Sequence, residues 1–80
     1  SIVVPQSELN AGVLAYELLR RAKLAASNGE ARRLIKGGGG RVNDAKIAND
    51  KAIINSSYIN AEGVIKLSAG KKNHAIVRPV

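Results

Sequence analysis

Apolar residues repeat at two different spacings along this chain. In the first half the spacing is helical. Leu14, Ala15, Leu18, Leu19 and Ala22 fall on one arc and Glu17, Arg20 and Arg21 on the other, which predicts a first helix over Ala11–Lys23 with Asn10 as its N-cap. Gly12 weakens the first turn, and Glu17 with Arg21 makes an i,i+4 pair in the favourable order. Leu24-Ala25-Ala26 is a connection short enough to make the next helix a neighbour. Ser27, followed three residues later by Glu30, is a capping box, so a second helix is predicted over Asn28–Lys36. Ala31, Leu34 and Ile35 share its apolar face; Arg32, Arg33 and Lys36 lie on the opposite arc. Gly37 is expected to supply the left-handed residue that ends it.

Beyond the four glycines Gly37–Gly40 the period drops to two. Arg41 to Ala48 reads as a hairpin, with Val42 and Ile47 inward and Asn43-Asp44 in the turn. Ile53, Ile54 and Ile59 are core candidates, Tyr58 packs at the edge, and Asn55-Ser56-Ser57 and Glu62-Gly63 are turns. Val64 to Leu67 is a strand, Ser68 to Asn73 a basic hairpin loop, and His74 to Val80 the returning strand, with Ile76 inward and Arg78 outward. Ile2-Val3-Val4 is a candidate edge strand ended by Pro5, within a lead-in over residues 1–10. The class is α+β: two short N-terminal helices on a small, mostly antiparallel sheet of three to five strands. Residues 11–80 form the domain proper.

Composition narrows the function. Eighty residues make one small domain, which buries only about 60–65% of its unfolded surface. There is no cysteine, so neither a disulfide framework nor a thiolate metal site is available. No apolar run is long enough to span a bilayer, and Ser1-Ile2-Val3-Val4-Pro5 lacks the charged start of a signal peptide. Thirteen Lys and Arg against six Asp and Glu give a net charge of +7, which attracts polyanions. The charge is uneven: Arg20, Arg21, Lys23, Arg32, Arg33, Lys36, Arg41 and Lys46 face only Glu30 and Asp44 over residues 20–46. A membrane surface is the weaker polyanion, because only Ala31, Leu34 and Ile35 stand opposite the charge on the second helix.

Several chemistries are excluded or disfavoured. His74 is the single histidine, and no triad or metal cluster can be assembled around it; it reads as a strand residue beside a basic loop. The carboxylates have plain uses: Glu30 caps, Glu17 pairs, Asp44 and Asp50 sit in turns, Glu62 precedes a Gly turn, and Glu8 lies near the first helix. The glycine run follows a helix and precedes a strand, the reverse of a phosphate loop. With two tyrosines and no Phe or Trp, base stacking is a minor resource, which favours the backbone and shape of structured RNA.

The order of elements has a counterpart. Ser27-Asn28-Gly29-Glu30-Ala31-Arg32-Arg33-Leu34-Ile35, a glycine turn and Arg41-Val42-Asn43 resemble the S4 RNA-binding domain, also called the alpha-L fold. Ala11 to Leu19, and Ile65 to Lys72 with the strand reaching Arg78, are similar to the C-terminal S4-like domain of bacterial-type and mitochondrial tyrosyl-tRNA synthetases. The resemblance implies a non-catalytic module that clamps the variable arm and anticodon region of tyrosine tRNA. It implies RNA contact by Ser27, Arg32, Arg33, Lys36, Arg41 and Asn43, and by Lys71 and Lys72; Lys46 joins them from the charge pattern. It implies no cofactor or metal for the domain, with ATP and Mg used by a homodimeric parent, and a monomeric isolated domain. The compartment is bacterial cytoplasm or mitochondrial matrix. The superfamily often has Asn-Gly where this chain has Asn43-Asp44, which leaves the hairpin type open. The alternative is an S4 domain of a ribosome-associated or pseudouridine-synthase-like protein.

Overall fold

The computed structural model describes all 80 residues. The period-two segments become strands β3 (Gly40–Val42), β4 (Ala45–Lys46), β6 (Ile65–Ala69) and β7 (Asn73–Pro79). With β1 (Ile2–Val4) they form one sheet in the order β1-β7-β6-β3-β4, antiparallel except for the parallel β1–β7 pair. A second ladder pairs β2 (Val13–Leu14) with β5 (Ile53–Ile54). Helices α1 (Gln6–Ala11), α2 (Ala15–Arg21) and α3 (Asn28–Lys36) complete the α+β body, and a short 3-10 turn covers Ser56–Tyr58. No helix is long and apolar enough to cross a membrane.

The core lies between one face of the sheet and the helices. Leu9, Leu18, Leu19, Ala31 and Ile35 meet Val4, Val42, Ile65, Leu67 and Val77. Each fully buried Leu or Ile there contributes about 1.5–3 kcal/mol. No buried side-chain nitrogen or oxygen lacks a hydrogen-bond partner.

Five expectations are corrected. The single helix over Ala11–Lys23 is two helices. Gly12 has φ 96°, α1 ends there, Asn10 lies inside α1, and Val13–Leu14 pairs with Ile53–Ile54 before α2 begins. The lead-in over residues 1–10 is packed: Val4 and Leu9 are wholly buried and β1 lies along β7. The inward residues of β7 are Ala75 and Val77, because Val77 pairs with Ile65 and Ala75 with Leu67; Ile76 faces the other side with Arg78. Gly37 is right-handed at φ −79°, and the left-handed residue is Gly38 at φ 81°. Among the core candidates, Ile54 is buried and Ile59 partly so, but Ile53 is 47% exposed.

Candidate nucleic-acid interface

Helix α3 starts where its sequence says. Ser27 is extended, and its Oγ accepts a hydrogen bond from the Glu30 N–H at 3.1 Å. Glu30 Oε1 in turn accepts from the Ala26 N–H at 3.4 Å, one residue before the cap. Ala31 and Ile35 are buried, which fixes the rotation of the helix and sends Arg32, Arg33 and Lys36 outward. Their surroundings differ. Arg32 lies over the Tyr16 ring at 5.7 Å and pairs with Asp50 Oδ2 at 3.0 Å. Lys36 Nζ is 3.7 Å from the same oxygen. The hydrogen bond from Arg32, helped by the Lys36 charge, holds the Asp50 carboxyl below its ordinary 3.8. Arg33 makes no ion pair and is exposed.

Past Gly38 the chain packs tightly on α3. A Cβ on Gly40 would lie 3.1 Å from Ile35 Cγ1 and 3.4 Å from Ile47 Cδ1, so β3 approaches the helix closely enough that a side chain here would push those two aside by a few tenths of an ångström. The missing Cβ of Gly38 leaves room for the stem of Lys46. The Gly70 N–H donates to the Gly39 carbonyl at 2.8 Å, which stitches the tip of the β6–β7 hairpin to this turn. Lys71 and Lys72 occupy that tip. Lys36, Lys46, Lys71 and Lys72 are thereby grouped around one glycine turn.

The β3–β4 hairpin closes through Asn43 at φ 49° and Asp44 at φ 68°. Two positive φ values in a two-residue loop make a type I′ turn, which settles the hairpin type. Arg41 and Lys46 stand directly opposite each other on these strands, both exposed, with no carboxylate paired to either. Like charges in that position repel.

No protein-family model matches the chain. It is 54% identical over 76 residues to a tyrosine--tRNA ligase of Nitrobacter winogradskyi, covering 95% of this chain and 18% of that protein. It is 51% identical over 80 residues to that of Rhizobium meliloti, covering all of this chain and 19% of the relative. The corresponding figures for Rickettsia peacockii are 49% over 78 residues, 98% and 19%. The chain is homologous to the C-terminal fifth of bacterial tyrosyl-tRNA synthetases.

The nine residues singled out by sequence fall into three groups. Arg33, Arg41, Lys46, Lys71 and Lys72 are exposed and make no ion pair. Arg32 and Lys36 are outward but share the Asp50 carboxylate. Ser27 and Asn43 are committed to the fold. The Ser27 hydroxyl is the cap, and the Asn43 amide accepts from the Lys66 N–H at 3.0 Å and donates to the Tyr58 carbonyl. Sequence reasoning missed the modulators. Asp50, in a turn as expected, and Tyr16, which has no role in the sequence pattern, both hold Arg32. Glu8 pairs with Arg21 at 2.7 Å, and that hydrogen bond holds its carboxyl below the ordinary 4.5. A contact 18 residues away in sequence, as from Arg32 to Asp50, carries no local signal.

Proposed function

We propose that the chain is the non-catalytic tRNA-binding module of a tyrosine--tRNA ligase, and that it holds tyrosine tRNA by its phosphate backbone at the variable arm and anticodon region. The observation that carries the reading is the set of unpaired cations around the α3–β3 turn: Arg33, Arg41, Lys46, Lys71 and Lys72, with Arg41 and Lys46 opposed across the hairpin. A phosphate backbone supplies the counter-charge that the fold does not. Lys36 and Arg32 join it with part of their charge offset by Asp50. The domain needs no cofactor for this; ATP and Mg belong to the catalytic part of a homodimeric parent. The relatives described above are all bacterial tyrosine--tRNA ligases, which favours the synthetase over a ribosome-associated or pseudouridine-synthase-like protein and bacterial cytoplasm over the mitochondrial matrix.

The test is a pair of affinities at equal salt. Attraction from the net charge of +7 is common to any tRNA and cancels in the ratio. The module prefers a tRNA with a long variable arm to one with a short arm. Equal affinity for the two would overturn the synthetase reading and leave a general RNA-binding domain.

A further inference from the structure

The helices cover only one face of the five-stranded sheet. The register places one row of side chains across the other face: His74 on β7, Ser68 on β6, Arg41 on β3 and Lys46 on β4 are successive cross-strand partners. Strands lie about 4.8 Å apart, so the row runs roughly 14 Å. Ser68 is the only buried polar residue of the chain, although it is on the open face. Its Oγ lies 3.1 Å from His74 Nδ1, and this contact fixes the imidazole so that Nε2 is turned away from Ser68. The next row holds Ile76 and Lys66, and Arg78 follows one pleat further along β7. A depression of about 270 Å³ is lined by Asn60, Glu62, Val64, Lys66, Ile76 and Arg78. Six cations border this face (Arg41, Lys46, Lys66, Lys71, Lys72 and Arg78), against Asp44, which pairs with Lys66 at 3.0 Å, and Glu62.

We infer that the open face of the sheet is a second RNA-backbone site, separate from the outer arc of α3, with His74 and Arg78 as contacts that the α3 and hairpin residues do not include. It rests on the proposed function and extends it to two RNA segments held at once. Arg41 and Lys46 link the two sites, since the Lys46 stem lies against the turn that ends α3. One phosphate run crosses the row from Lys46 to His74. The depression seats a sugar ring, with Lys66 and Arg78 on the phosphates to either side. The face suits RNA better than an apolar protein partner, because Arg41, Lys46, His74 and Arg78 are exposed and cationic or hydrogen-bonding. Its apolar residues Val3 and Ile76 are separated along the face by Arg78.

The experiment measures binding of the 80-residue chain to tyrosine tRNA across a salt series for three proteins: the parent sequence, Arg33→Ala on α3, and His74→Ala/Arg78→Ala on the sheet. The sheet variant is expected to bind more weakly at every salt and to lose about 0.7–0.9 from the log–log salt slope, the share of the phosphate held by Arg78. The α3 variant loses a similar amount independently. If only Arg33→Ala changes the slope, the sheet site is wrong and the proposed function stands. If neither changes it, both fall. Circular dichroism checks that the sheet variant is folded, and Arg78→Gln alone repeats the test with a milder change, since Arg78 is exposed.

Discussion

Replacing Gly12 with alanine distinguishes the helix that apolar spacing predicts from the break that the chain makes. In a continuous helix over Ala11–Lys23 the change would stabilise by about 0.8–1 kcal/mol, the difference in helix propensity. In the structure Gly12 has φ 96° and ψ 138°, and a non-glycine residue held in such a sparsely populated region costs about 1–3 kcal/mol. Its Cβ would also stand 2.7 Å from Ile53 Cγ2. That clash is the smaller part, because Ile53 is 47% exposed and its methyl has room to turn outward. Backbone relief is closed off. The Gly12 N–H donates to Glu8 and Leu9 carbonyls at 3.0 and 3.1 Å, and the next residue, Val13, is paired with Ile54. The expected result is destabilisation by about 1–3 kcal/mol, which in a domain of this size lowers Tm by about 4 °C or more. Urea unfolding of both proteins, with the slope m compared as well as the midpoint, is the assay. A midpoint that stays put or rises would refute the break at Gly12.

Three further outcomes follow from the same contacts. Ser27→Ala removes the cap of α3 and costs about 0.5–2 kcal/mol in urea unfolding, with the helix start misplaced if the midpoint does not move. Asp50→Asn leaves Arg32 and Lys36 without their shared carboxylate, so RNA affinity rises and its salt slope steepens; weaker binding would mean that Asp50 orients these cations instead of offsetting them. Glu8 and Asp50 both titrate below their ordinary values of 4.5 and 3.8, so their contribution to stability is complete above those values and is lost as pH falls through the lowered ones. A Glu8→Gln/Asp50→Asn variant is expected to show a flatter loss of Tm below pH 4.5 than the parent, and identical acid limbs would count against the pairing.

Helix α3 and the β3–β4 hairpin were legible in the sequence because their signals are local. A capping box is a contact over three residues, and an Asn-Asp pair tolerates the left-handed turn that joins two alternating strands. The N-terminal break was not legible. The apolar arc from Leu14 to Ala22 is helical in the structure from Ala15 to Arg21, and nothing in it announces that Val13 and Leu14 pair with a strand forty residues on. The inward side of β7 was not legible either, since Ile76, its largest apolar side chain, faces away from the core. Burial is set by pairing: Ala75 and Val77, opposite Leu67 and Ile65, are the buried residues of the strand. Of the candidate site, residue types and their gathering near the glycines were legible from charge. What separates Arg33 from Arg32 is the position of Asp50 and Tyr16, and that depends on tertiary packing.

The central claim is that the unpaired cations of α3 and the hairpin bind phosphate. It is tested most directly by the salt dependence of tyrosine tRNA binding, measured for the 80-residue chain and for Arg33→Ala/Arg41→Ala/Lys46→Ala. A steep slope is expected for the parent and a loss of about 2–3 log units per log unit of salt in the triple variant, with the unfolding free energy changed by about 0.5 kcal/mol or less per substitution. A shallow slope for the parent, or the same slope for both proteins, would contradict it.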